Sequence, residues 1–125
     1  MAAPNIVNVT TIYGKTAYLT PSDTNANVLL ANSASSGKVL KINQIVAANV
    51  DGSSAVECSV AINTEAAGSG TSYPIVSTVS VPADASLIVT DKTTAIYLEE
   101  DKSIVVTSGT ASKIAYTISY EEISS

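Results

Sequence analysis

The chain of 125 residues contains no histidine, no arginine, no tryptophan and no phenylalanine, and it has a single cysteine. Without histidine, a serine or cysteine nucleophile has no imidazole base, and zinc would find only one thiolate among scattered carboxylates. We therefore expect that the chain is not an enzyme and that it binds no metal and no cofactor. The balance of eleven carboxylates against six lysines makes the net charge −5, so the chain would repel polyanions and we expect no nucleic-acid partner.

Long hydrophobic runs are also missing. No stretch of about 18 apolar residues occurs, which excludes a membrane-spanning helix. The N-terminus has no basic region followed by an apolar stretch, so it does not resemble a signal peptide, and we expect the chain to fold in cytoplasm. Cys58 cannot form an internal disulfide and shares an apolar face with Val56 and Val60, which favours a small buried hydrophobe over a reactive thiol.

Alternation between apolar and polar residues is the dominant pattern that is present. In residues 55–63, every second side chain from Val56 to Ile62 is apolar and the intervening ones are polar or small, as in a strand with one dry face. The Asp51-Gly52 pair before it predicts a chain reversal that places residues 39–49 antiparallel beside this strand. Residues 114–121 show the same alternation most clearly.

Turn-forming residues interrupt this pattern at spacings of roughly 8 to 12 residues, which is typical of an all-β sandwich or barrel. Helical periodicity is nearly absent and no linker divides the chain. We predict one domain, residues 1–125, folded as an antiparallel β-sandwich of jelly-roll or immunoglobulin-like kind. The predicted strands are 6–13, 16–20, 28–31, 39–49, 55–63, 73–81, 87–90, 95–98, 103–107 and 114–121, and the first of them ends at Gly14-Lys15.

Two segments are candidates for contacts with partner proteins. Residues 65–72 are small and have little to bury, so we expect an exposed, flexible loop at an intermolecular contact. The N-terminal segment is the second candidate. The candidate contact residues are Asn5, Ile6, Val7, Glu65, Gly68, Ser69, Gly70 and Thr71.

The sequence also contains features of two other kinds of binding site, one for sugars and one for a cation. Six tyrosines could stack on sugars if several lay together on an exposed face, although Tyr116 and Tyr120 share a face with isoleucines, which favours core or subunit contact. Carboxylates at residues 99–101 could ligate a hard cation in a lectin-like module. Their spacing matches no calcium loop, so a solvated turn is favoured.

Several segments resemble a group of small virion structural proteins of tailed phages, especially those of marine cyanobacteria. The segments are Lys41 to Gly52, Val79 to Ala83, Ile96 to Ile104 and Ser119 to Ile123, and they occur in the same order along most of the chain. The matching residues mark turns and strand ends and include no catalytic signature. Proteins of this group often carry Gly-Asp where this chain has Asp101-Lys102, which leaves the geometry of that turn open.

The resemblance implies a non-enzymatic, β-sandwich component of a virus particle. Our leading hypothesis is a decoration or cement protein that stabilises a phage capsid, assembled in host cytoplasm and present as a homo-oligomer on the particle. Its partners would be the major capsid protein or other virion proteins, with no membrane contact. The alternative is a tail or fibre module that binds a host surface glycan.

Overall fold

The computed structural model describes residues 4–124, which form nine β-strands and one 3-10 turn. The strands are β1 (Thr11–Leu19), β2 (Asn27–Asn32), β3 (Lys38–Asn49), β4 (Val56–Asn63), β5 (Ser72–Val81), β6 (Ser86–Thr90), β7 (Ile96–Leu98), β8 (Lys102–Ser108) and β9 (Ile114–Ser124). The 3-10 turn, Lys92–Thr94, is capped by the Asp91 side chain and separates β6 from β7.

The strands form two antiparallel sheets that pack face to face. One sheet has five strands in the order β1-β9-β3-β6, with β7 also paired to β3, and the other has four in the order β2-β8-β4-β5. Because β6 and β7 pair with successive parts of the same edge of β3, they act as one strand interrupted by the 3-10 turn. The prediction of an all-β antiparallel sandwich is confirmed.

Strand pairing distinguishes between the two predicted kinds of sandwich. Strand β4 pairs with β5, β3 with β6, β2 with β8 and β1 with β9, so the pairs are nested around one central hairpin. That nesting is the rolled hairpin of a jelly roll. An immunoglobulin-like sandwich would contain several hairpins of consecutive strands, whereas in the described part of the chain only β4 and β5 are consecutive and paired.

Aliphatic side chains fill the space between the sheets. Among the fully buried side chains Tyr116 is the largest, and the rest of the core is mainly isoleucine, leucine and valine from β3, β4, β8 and β9. Such β-branched residues fit a pleated surface well. The core contains no phenylalanine or tryptophan, and among the described residues Tyr116 provides its one fully buried aromatic ring.

The predicted pairing of residues 39–49 with residues 55–63 is wrong. Strands β3 and β4 belong to different sheets, and residues 50–55 carry the chain from one sheet to the other. Alternation identifies which side chains face the core, but it carries no information about which strand lies alongside. The Asp51-Gly52 turn therefore ends a strand without making a hairpin.

The predicted start of the chain also needs correction. The first strand does not end at Gly14-Lys15, because β1 runs through both residues in unbroken register with β9 from Thr11 to Leu19. Residues 6–10 are not part of a strand. Two predicted strands are thus one strand that begins later.

Within residues 4–124 no helix is both long and apolar enough to cross a bilayer.

Candidate functional site

The candidate contact residues from both segments lie at one end of the sandwich. Strands β4 and β8 meet there at Asn63 and Ser103, and β3 and β7 meet there at Leu40 and Leu98. We call this the contact end and define it as residues 4–10, 33–37, 64–71 and 99–101. The turn at residues 99–101 borders both candidate segments, because Glu99 lines a groove with Ile6 and Asp101 accepts a hydrogen bond from Ala66 N at 3.3 Å.

The N-terminal segment lies over the outer face of the five-stranded sheet. Asn5 Oδ1 accepts a hydrogen bond from Val7 N at 2.9 Å, an Asx turn that gives this short segment a defined shape. Pro4 is buried, while Asn5, Ile6 and Val7 are exposed, Val7 to 91%. A shallow groove of about 300 Å³ runs between this segment and the sheet, lined by Pro4, Ile6, Val39, Tyr97 and Glu99.

The loop between β4 and β5, residues 64–71, is fixed from inside by one buried amide. Asn63 Nδ2 donates to Ser72 Oγ at 2.9 Å and to the carbonyls of Gly68 and Gly70 at 3.3 and 3.2 Å. Its Oδ1 accepts from the backbone N–H groups of Glu65 and Gly70, both at 3.0 Å. This network connects the loop's backbone to the end of β4, and the expectation that the loop is flexible stays a prediction.

Candidate residues in this loop differ in their exposure. Glu65, Ser69 and Thr71 are exposed, whereas Gly68 and Gly70 are half-buried. Gly68 has φ of 77°, and a Cβ there would lie 2.9 Å from a methyl of Val28, so the position requires glycine. The two glycines thus shape the loop, and the other three side chains form its outer surface.

Two further loops are held in the same way, which the sequence analysis did not anticipate. Asn49 Nδ2 donates to the carbonyls of Ser54, Val81 and Pro82, and its Oδ1 accepts from Asp51 N. Asn32 Nδ2 donates to the carbonyls of Lys38 and Leu98. All three asparagines are the last residues of their strands and are at most 3% exposed. A signal was available, because each is followed within five residues by a glycine.

The acidic turn at residues 99–101 has the predicted turn structure. Asp101 adopts φ of 57°, in the left-handed region where glycine is least strained. The departure from Gly-Asp noted in the sequence thus falls where glycine is favoured. Among the described residues no three His, Cys, Asp or Glu side chains are grouped so as to hold a metal ion, so the cation-binding alternative gains no support.

Glu122 forms a small charge cluster beside a second concavity. Its carboxylate contacts Lys15 Nζ at 2.9 Å and Lys38 Nζ at 3.0 Å. Hydrogen bonds from the two ammonium groups lower the pKa of Glu122 below its usual value. The concavity, about 210 Å³, lies between β2 and β9 and is lined by Leu30, Ala31, Asn32, Ser33, Ser36, Lys38, Leu40, Tyr120 and Glu122. Because both lysines neutralise it, this carboxylate is poorly suited to accept a proton.

The tyrosines are dispersed over the molecule. Tyr116 is fully buried, and its hydroxyl donates to the carbonyl of Thr107 at 2.5 Å, while Tyr120 is half-buried against the core. The other four are exposed on separate parts of the fold: Tyr13 and Tyr18 point to opposite faces of β1, Tyr97 is on β7 and Tyr73 is on β5. Both core assignments are confirmed, and no exposed group of tyrosines forms a sugar platform in residues 4–124.

Cys58 lies inside the sandwich on β4. It is completely buried, and burial raises the pKa of its thiol. This confirms the interpretation of Cys58 as a small core hydrophobe.

The fold and the contact end together define a jelly-roll protein with preformed surface loops. No protein-family model matches the chain, and none of the curated proteins matches it. Among solved structures, the fold is similar to a chain from the structure described as "Bacillus endospore appendages form a novel family of disulfide-linked pili". The TM-score is 0.52 with 13% identity, over 92% of this chain and 90% of the other. At that identity the likeness concerns the fold.

Proposed function

We propose that this chain is a non-enzymatic structural subunit of a multi-copy assembly, and specifically a decoration or cement protein of a tailed-phage capsid. The observation that carries the proposal is the preformed contact end. Asn63 fixes the 64–71 loop from inside, and Asn32 accepts a hydrogen bond from Ser36 in the 33–37 loop, so little conformational entropy is lost when the outer surfaces of these loops bind a partner. Such a preformed surface can attach permanently to a partner whose surface is complementary in shape.

Two resemblances support the structural role. The sequence resembles small virion proteins of tailed phages, and the fold resembles a chain from spore appendages described as pili. Disulfide linkage of the kind named for those pili is not open to the fully buried Cys58. Attachment here would therefore rest on noncovalent contacts multiplied by symmetry.

The glycan-binding alternative for a tail or fibre module has weaker support. Stacking on a sugar requires aromatic rings that share a face, and the exposed tyrosines lie on β1, β5 and β7. We therefore favour attachment to capsid or other virion proteins, through Asn5, Ile6 and Val7 and the outer surface of the 64–71 loop.

Reattachment to particles tests this proposal. Virions of the phage that encodes the chain would be stripped of it, and purified chain would be added back and quantified by mass spectrometry against the major capsid protein. We expect saturable binding that protects heads against heating. Val7→Asp, at the contact end, should abolish reattachment, whereas Val50→Asp, at an exposed valine of the opposite end, should preserve it.

Three results would contradict the proposal. The chain could be absent from the particle, it could be present only in the low copy number of a tail component, or the two valine variants could reattach equally. The second result together with binding to host glycan would favour the fibre alternative.

A further inference from the structure

The four sheet edges differ in how well they are protected against pairing with another strand. Strand β2 has six residues, with a register shift between Val28 and Leu30, and β5 contains Pro74 and two register shifts. The edge formed by β6 and β7 is interrupted by the 3-10 turn. Strand β1 has nine residues, no proline and unbroken register with β9. Bulges, prolines, short length and charged side chains are the usual protections of an edge, and of these β1 has only Lys15.

The side chains of β1 are also suited to contact. Ile12, Tyr13 and Tyr18 are exposed, Tyr18 to 80%. The only charge on the strand is Lys15, which is engaged by Glu122. A regular edge that carries apolar side chains and no free acid is an acceptor for an added β-strand.

We infer that β1 pairs antiparallel with β1 of a second copy of this chain, across a two-fold axis that passes next to Thr16. This interface goes beyond the proposed function and does not depend on which assembly contains the chain. It joins the two five-stranded sheets into one continuous sheet.

The identity of the partner follows from self-complementarity. With Thr16 opposite Thr16 of the other copy, Tyr18 lies opposite Gly14, whose missing side chain leaves room for the ring, and Tyr13 lies opposite Leu19. Lys15 then faces Ala17. Residues 13–19 are paired, which exceeds the usual strand length of about 5 to 6 residues.

Other two-fold registers are poorer. An axis at Lys15 places two lysines directly opposite each other, which is destabilising. An axis at Gly14 opposes two glycines that pack nothing and leaves Leu19 unpaired. The net charge of −5 disfavours contact between copies in general, but the charge that β1 itself presents is a neutralised lysine. The β1 edge is therefore where two copies meet with little repulsion.

Cysteine cross-linking tests the inference, because the native Cys58 is buried and does not compete. Thr16→Cys places a thiol at the axis, and Thr117→Cys places one at an exposed threonine on the same face of the neighbouring strand as a matched control. We expect Thr16→Cys to form disulfide-linked dimers at least about tenfold faster, since directly opposed Cβ atoms are about 5 Å apart. Wild-type chain should sediment at twice the monomer mass at high concentration.

A pair of surface variants checks the edge independently. Tyr18→Lys should weaken the dimer about tenfold, because the two-fold axis repeats the lost contact with Gly14. Tyr73→Lys, at another exposed tyrosine, 62% exposed, on the β5 edge, should leave it unchanged. The inference is overturned if the chain stays monomeric at every concentration, if the two cysteine variants cross-link equally, or if Tyr73→Lys is the variant that weakens association.

Discussion

Removing the Asn63 amide should destabilise the whole domain. The side chain is 1% exposed and satisfies five backbone or side-chain partners in the 64–72 region. An amide offers two donors and one oxygen with two lone pairs, so about four full hydrogen bonds are lost in Asn63→Ala. At about 1 kcal/mol for each bond, with buried groups left unpaired, we expect a loss of about 3–5 kcal/mol.

That loss is large against a total stability of about 5–15 kcal/mol for a domain of this kind. Urea or thermal denaturation would measure it, and the melting temperature should fall by about 10 °C or more. Protection against hydrogen exchange should be lost first at the N–H groups of Glu65 and Gly70, which donate hydrogen bonds to Asn63 Oδ1. The matched control is Asn43→Ala, because Asn43 Oδ1 is buried without a hydrogen-bond partner. We expect that change to cost less than about 1 kcal/mol.

Asn63→Asp refines the test because it keeps the shape of the side chain, removes its two donors and adds a negative charge. The carboxylate keeps the two acceptor contacts, but it turns an oxygen toward the carbonyls of Gly68 and Gly70. Repulsion and burial should raise the folded-state pKa of this acid above the unfolded value near 3.9, so stability should be low at neutral pH and recover as the pH falls through the raised pKa. The reasoning is refuted if Asn63→Ala and Asn43→Ala unfold at the same urea concentration.

Three other changes have expected outcomes. Glu122→Gln should lower the free energy of unfolding by up to about 1 kcal/mol at neutral pH and make stability, measured by urea titration, fall less steeply in acid. The reason is that a carboxylate with a lowered pKa stabilises the fold above its unfolded pKa and loses that effect as the pH falls through the folded value. An unchanged dependence on acid pH would contradict the ion-pair cluster. Tyr116→Phe should lower the free energy of unfolding by about 1–2 kcal/mol, measured by calorimetry, because the Thr107 carbonyl loses its hydrogen-bond donor. Since burial raises the pKa of Tyr116, one phenol of the wild type should ionise only as the protein unfolds in alkali. Six equivalent phenols in an alkaline titration of the native protein would argue against this burial. Thr78→Asn should stabilise the fold by about 1 kcal/mol, because Thr78 has φ of 48° and a β-branched residue is strained there. The control Thr78→Val keeps the branched side chain and should not stabilise the fold. Equal melting temperatures of the two variants would count against backbone strain.

Alternation in the sequence was sufficient to predict the fold class. Residues 114–121 and 55–63 form strands with the predicted face buried, because the period of a strand fixes which side chains share a face. The partner of each strand was not predictable in this way. The same two-residue period fits a hairpin and a crossover between sheets, which is why β3 was wrongly paired with β4.

The positions of the loops were predicted, but the side chains that anchor them were not. A stretch of small residues at 65–72 indicated flexibility because it has little to bury, yet the anchoring group is the asparagine that precedes it. Likewise Gly14 indicated the end of a strand, but a glycine on an edge strand is tolerated when the neighbouring strand provides the hydrogen-bond ladder. For Gly14 a long-range partner, strand β9, decides the structure, whereas the anchor of the 64–71 loop is the neighbouring Asn63.

An electron cryomicroscopy map of the intact particle tests the proposed role most directly. The account predicts nine-stranded jelly rolls in many symmetry-related copies on the outside of the head, with the contact end seated against capsid protein. Density for the chain confined to the tail, or heads that lack it altogether, would contradict the account.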